Sequence, residues 1–201
     1  MQKSTGNFNI SAWFQTWVKA LTKPSEQTYS ELIRQPDSSA QTAYIWMAVA
    51  GAISGLIALI RHGSVFGILL TAVYAVLGLM VDAWVVNLFA TKVFKGKGNL
   101  SDLLYAFAAF AAPILVVNAI LALIPVIGSI LSVLLSLFTL VLSVFATQAV
   151  YKLTTGKAAG SVLIPAAIII VIVMIIVVFF LVIFGGVIGG VFSNVLKSLG
   201  K

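Results

Sequence analysis

Apolar residues along this chain are gathered into five long runs, and all the charged residues but Asp82 lie outside them. The runs cover about 43–60, 65–90, 103–123, 130–151 and 162–184. Each suits a transmembrane helix, since at about 1.5 Å rise per residue about 20 residues cross a hydrocarbon core of about 30 Å. Arg61-His62-Gly63 closes the first run, and Lys92, Lys95 and Lys97 close the second. Ile124-Pro125-Val126-Ile127-Gly128 separates the third from the fourth, because Pro125 cannot continue the helical ladder and Gly128 allows a tight turn. Pro113 is expected to interrupt the third helix and free a backbone carbonyl. Lys152 to Gly160 reads as a polar connection, with Pro165 tolerated in the first turn of the fifth helix. Barrel strands would alternate in short pieces, and these runs do not. The pattern predicts an all-α integral membrane protein, a bundle of five transmembrane helices over 42–184, ending in a flexible glycine-rich tail over 185–201.

Residues 1–41 form an arm of different character. Ile10, Trp13, Phe14, Trp17, Val18 and Leu21 share one helical stripe, with Ser11, Gln15, Thr16 and Lys19 mostly opposite. Tryptophan prefers the headgroup level and lysine favours anionic lipid, so Trp13, Phe14, Trp17 and Lys19 are expected at the membrane interface. The same stripe could instead pack on the polar mouth of the bundle. Beyond Pro24, residues 25–35 offer a second short helix with Tyr29, Leu32 and Ile33 as its apolar face, before a Pro36-Asp37-Ser38-Ser39 linker. Its charged residues Glu26, Glu31 and Arg34 suit either a solvated face or a docking surface for a cytosolic partner. The first 40 residues do not resemble a cleavable signal, so the first run reads as a signal anchor.

Composition narrows the chemistry. The chain is 61% hydrophobic and 8% charged, against about 45–50% and about 25% in soluble domains. With no cysteine and one histidine, His62, thiol chemistry is excluded and no metal or cofactor site is expected. The usual hydrolase, metalloprotease, P-loop and dinucleotide motifs are missing, so no catalytic residues are assigned. The net charge of +7 reads as topology, without nucleic acid as a partner. An inside N-terminus puts Lys3, Lys19, Lys23, Arg34, Lys92, Lys95, Lys97, Lys152 and Lys157 in the cytoplasm and leaves Arg61, Lys197 and Lys201 outside. That bias predicts N-inside and C-outside.

The polar groups within the runs are few: Asp82, Asn87, Asn118, Ser143 and Gln148. Asp82 lies about 12 Å in from Ala90, and Ser143 sits at a similar depth from Tyr151. A polar seam between the second and fourth spans follows, with Thr147 and Gln148 nearer the surface beside Asn87. Asp82 then serves as a proton or cation site, or as a hydrogen-bonded group fixing helix packing. Gly51-Gly55, Gly185-Gly189 and Gly186-Gly190 have the spacing that lets helices approach closely.

Several short motifs occur in a telling order. Gly96-Lys97-Gly98-Asn99-Leu100 leads into Tyr105-Ala106-Phe107 and Ala111-Ala112-Pro113. Leu123-Ile124-Pro125-Val126-Ile127-Gly128 and Thr155-Gly156-Lys157-Ala158-Ala159 follow, then Leu163-Ile164-Pro165. From about Trp13 to Phe184 the chain resembles the Yip-domain family, named for the Ypt/Rab-GTPase-interacting proteins. Trp13-(x)3-Trp17-(x)3-Leu21-Thr22-Lys23-Pro24 is similar to the arm of bacterial members. The resemblance implies a five-span, non-enzymatic membrane protein with a cytosolic N-terminus, whose eukaryotic relatives act in vesicle traffic with Rab-type GTPases. The short arm points instead to a prokaryotic plasma membrane. The expected function is organising or remodelling the membrane or scaffolding other membrane proteins, with the bilayer, other membrane proteins or a small GTPase as partners. A small transporter or channel using Asp82 is the alternative, and the oligomeric state is open.

Overall fold

The computed structural model describes residues 10–60 and 64–199, with the backbone alone for 186–197. Lys3, His62 and Lys201 lie outside the described residues, as do Arg61 and Gly63 and the side chain of Lys197. Among the described residues the elements are α1 (Ile10–Thr22), α2 (Glu26–Leu32), α3 (Ala40–Leu59), α4 (Val65–Leu88), a π-helical turn (Phe89–Val93), α5 (Leu100–Leu121), α6 (Ile127–Tyr151) and α7 (Thr155–Leu199). Five of these stretches are long and apolar enough to cross a membrane: 40–59, 65–93, 100–121, 127–151 and 155–185. This is an all-α, multi-pass integral membrane protein.

Local chemistry sets the helix starts. Ser25, Ser39 and Ser64 cap α2, α3 and α4 by accepting the amides of Thr28, Thr42 and Gly67. Asn99 accepts the Asp102 amide at 2.8 Å to start α5, and its own amide donates to the Asp102 carboxylate at 2.7 Å. The ends are equally specific. The π turn closes where Phe94 N–H donates to the Phe89 carbonyl, and Lys95 then takes a left-handed φ of 58°. Lys152, with φ 54°, ends α6 in the same way. Between α5 and α6, Ile127 N–H donates to the Pro125 carbonyl across Val126, whose φ of 63° and ψ of −69° make a strained γ-turn.

The chain divides into two compact units, 1–163 and 164–201. In the first, α5 is the central helix, buried without interruption from Leu103 to Phe110, whereas α4 buries only Leu79, Ala83 and Val86. α3 packs on both α4 and α5, and α6 packs on α5 and α2. Gly51 and Gly55 permit the α3–α4 approach. A Cβ at Gly51 would lie 2.7 Å from the Ala72 Cα, and one at Gly55 2.7 Å from the Ile68 Cα. The Gly96-Lys97-Gly98 connection closes over the end of α6, with Lys97 N–H donating to the Tyr151 carbonyl at 3.0 Å. In the second unit, α7 from Ile164 to Phe184 is apolar and mostly exposed.

Three expectations at the helix breaks need correction. Pro113 does not interrupt the third span, because α5 runs through it to Leu121. One ladder bond is lost at a proline, and packing of the flanking turns sustains the helix; Ala112 and Ile114 are both buried. Pro165 is not in a first turn, since α7 starts at Thr155. Residues 155–160 are helical because small residues seat them: Ala158 and Ser161 are fully buried and Gly160 lies against the Phe94 ring. Gly128 is the second residue of α6 and has no room for a side chain, since a Cβ would fall on the Leu121 carbonyl. Pro125 does lie between helices. Residues 185–199 continue α7, where a flexible tail was expected. The side chains of that segment, including the Gly186, Gly189 and Gly190 spacings, lie outside the described residues.

Candidate functional site

The arm is tied to the bundle by an aromatic cluster. Trp13 and Trp17 stand edge-on to Trp46 of α3, with ring centroids 6.1 and 5.9 Å apart, and Trp46 lies 4.9 Å from Tyr105 of α5. Trp46 and Tyr105 are fully buried. The single apolar stripe of α1 is therefore divided between two surroundings. Trp13, Trp17 and Leu21 pack on the core, whereas Ile10, Phe14 and Val18, one turn apart from each other, remain exposed at 75%, 64% and 40%. Such edge-to-face pairs stabilise by about 0.5–1.5 kcal/mol each beyond area burial.

Polar bonds complete the junction. The Tyr29 hydroxyl donates to the Ala20 carbonyl at 3.2 Å, one of the groups left open at the end of α1. Burial pushes that phenol well above its usual range, so Tyr29 stays a donor at physiological pH. Lys19 meets Glu31 at 2.7 Å, and Gln27 donates to the same carboxylate. The hydrogen bond from Lys19, then that from Gln27, holds the Glu31 carboxyl below its ordinary value. Thr16 and Tyr105 hydroxyls both donate to the Gln35 side-chain oxygen, at 3.3 and 3.0 Å. Gln148 donates to Glu26 at 2.9 Å and Lys152 to Ser30 at 3.3 Å, fixing α2 on α6. Glu26 and Glu31 thus have partners within the chain, while Arg34 is exposed.

The intramembrane polar residues do not form one seam. Asn87 accepts the Tyr151 hydroxyl at 2.6 Å, which joins α4 to α6 at the lysine-rich end. Ser143 is buried and donates to the Thr139 carbonyl of its own helix. Thr147 is fully buried and, with the Asn118 side-chain oxygen, has no hydrogen-bond partner among the described residues. Asp82 is exposed on α4, and no hydrogen bond or ion pair reaches its carboxylate among the described residues. It lines a cleft of about 270 Å³ with Gly78 and Leu79 of α4, Phe107 and Phe110 of α5, and Thr139 of α6. The neighbour across the cleft is Thr139, not Ser143, and Pro113 is not among the lining residues. A carboxylate facing acyl chains opposes insertion by about 2.5–3.5 kcal/mol on insertion scales, so it demands a proton or a partner. No group of three or more metal-ligating side chains occurs among the described residues.

Trp46, Tyr105 and Tyr151 are not among the site residues expected from the sequence, although Tyr105 belongs to a family-like motif and Tyr151 marks the end of the fourth run. Each is an aromatic near the lysine-rich end of a span, where interfacial aromatics gather. That position was legible; that they point inward was not.

The family model described as the Yip1 domain matches residues 18–178. No curated protein and no solved structure matches the chain.

Proposed function

The chain belongs to the Yip1 domain family, and from that membership we propose a non-enzymatic protein that organises or remodels the membrane, or scaffolds other membrane proteins, through an arm fixed to its bundle. One observation carries the reading. Trp13 and Trp17 are engaged by Trp46, yet Ile10, Phe14 and Val18 stay exposed on the same short helix. A helix anchored on one side and apolar on another is suited to lie in the headgroup region as a wedge. Lys92 in the π turn, Lys95, Lys97 and Lys152 in the connections, and Lys157 in the first turn of α7 flank the end of α6 to which α2 is bonded, which supports a cytoplasmic arm.

The test is reconstitution of the full chain in vesicles containing anionic lipid, with vesicle shape followed by electron microscopy. Ile10, Phe14 and Val18 replaced together by serine should abolish any reshaping while insertion and helicity are retained. Equal reshaping by both proteins, or none by the native chain together with unchanged recovery of neighbouring proteins from native membranes, overturns the reading.

A further inference from the structure

The cleft beside Asp82 meets the arm only behind its wall, where Tyr29 packs edge-on to Phe110 with ring centroids 6.1 Å apart, and three observations bear on what fills it. First, its carboxylate is exposed and unpaired among the described residues. Secondly, the span holding it runs on to Val93, eleven residues further, so Asp82 lies about 16 Å from that end, near the middle of a core of about 30 Å. A lipid headgroup does not reach that depth. Thirdly, there is room beside it: Gly78 is one turn away, and a Cβ there would meet nothing within 4 Å.

Charge complementarity then selects the occupant. A carboxylate in hydrocarbon pairs with a cation or a strong donor. This chain has no lysine or arginine at that depth. Between Ala40 and Gly185 its basic residues are Arg61, Lys92, Lys95, Lys97, Lys152 and Lys157, all at or beyond the helix ends or within the first turn of α7. A second copy therefore cannot supply the cation, and neither can the chain's own fifth span from Ile164 to Gly185.

We propose that the cleft beside Gly78 and Asp82 receives a transmembrane helix of another protein carrying a lysine or arginine within its apolar run. The ammonium or guanidinium donates to the Asp82 carboxylate, with the Thr139 hydroxyl oxygen as a second acceptor across the cleft. Thr139 donates its own proton to the Leu135 carbonyl, which leaves a lone pair available. Gly78 admits the backbone of the incoming helix, as small residues do in membrane helix pairs. The proposal rests on the scaffolding half of the function proposed above and names its partner class.

The test uses the full chain in phosphatidylcholine vesicles, labelled through Ile124→Cys, which is clean because the native chain has no cysteine. The probe is a synthetic Leu/Ala helix of about 23 residues with one central lysine and a terminal acceptor dye, compared with the same helix carrying methionine. Energy transfer should show the lysine peptide binding about tenfold tighter than the methionine peptide. Asp82→Asn should abolish that preference and Asp82→Glu retain it. Gly78→Leu, which fills the cleft and keeps the carboxylate, should weaken both peptides. Equal binding of the two peptides, or a lysine preference that survives Asp82→Asn with helicity intact, overturns the proposal. So does Asp82-dependent energy transfer between two labelled copies of the chain, which would mean a shared proton in place of a foreign cation. The serine triple variant of the arm should bind the lysine peptide as the native chain does, so failure here and failure of the arm reading are distinguishable.

Discussion

At Gly51 a methyl group would come within 2.7 Å of the Ala72 Cα and 2.9 Å of the Thr71 carbonyl oxygen, both backbone atoms that cannot turn aside. Gly51→Val should therefore force α3 and α4 apart and lower stability by about 1–3 kcal/mol, the usual penalty for overpacking. Gly78→Ala is the control: with nothing within 4 Å of the added carbon, helix propensity alone acts, and stability should rise by up to about 1 kcal/mol. Unfolding midpoints in mixed micelles of graded detergent content would separate the two. Tyr29→Phe removes the donor to the Ala20 carbonyl, and leaving a buried acceptor unpaired should cost about 1–3 kcal/mol. Faster hydrogen exchange confined to the last turn of α1 is the expected signature. If exchange is unchanged, the bond contributes nothing.

At the scale of elements, α1 is held to α2 by an ion pair with a defined pH range. Glu31 has its carboxyl lowered by Lys19 and Gln27 in the folded state, from an ordinary value of about 4.3. A depressed carboxyl contributes stability that is present above the ordinary value and lost as pH falls through the folded one. The α1–α2 junction should accordingly hold without change from pH 8 to about pH 5 and loosen only below about pH 4. Amide exchange of α1 checks this, and Lys19→Ala should reduce the acid dependence, leaving the smaller part that Gln27 supplies. The ends of α4 and α6 carry a second lesson. Lys95 and Lys152 adopt left-handed φ where glycine is easier, and because Lys152 also bonds Ser30, Lys95→Gly is the cleaner test: it should raise stability by about 1 kcal/mol in the same micelle assay.

At the scale of the molecule, orientation is the property most directly testable. Lys157→Cys and Ile124→Cys lie at exposed positions on opposite sides of α6 in the chain order. With an inside N-terminus, an impermeant reagent added outside whole cells should label Ile124→Cys and spare Lys157→Cys until the cells are opened. Reversed labelling would overturn the charge-based orientation while leaving the fold intact. On the proposed reading the arm acts at the headgroup level and Asp82 acts deeper in the bilayer. Serine at Ile10, Phe14 and Val18, which are exposed on α1, and asparagine at Asp82 in the cleft should act independently, as expected for positions that share no contact.

The amino-acid sequence by itself determined the number of spans, their approximate limits, the amphipathic arm and the solitary acid at Asp82. Those features are local: each span must satisfy its own backbone hydrogen bonds and match the bilayer thickness, and both demands are written in contiguous residues. The tertiary structure decided what the helix faces touch. Nothing in the stripe of α1 separates Trp13 and Trp17 from Phe14, yet Trp46 takes the first two and leaves the third exposed. Equal depth suggested Ser143 as the partner of Asp82, whereas the rotation of α6 turns Thr139 into the cleft and buries Ser143 on its own helix. Pro113 resembled a break, and packing on both sides carried the helix through it. In spans apolar on every face, periodicity cannot mark which side is inward. Small residues, ring shapes and close backbone approach settle that, and they act only when the helices meet.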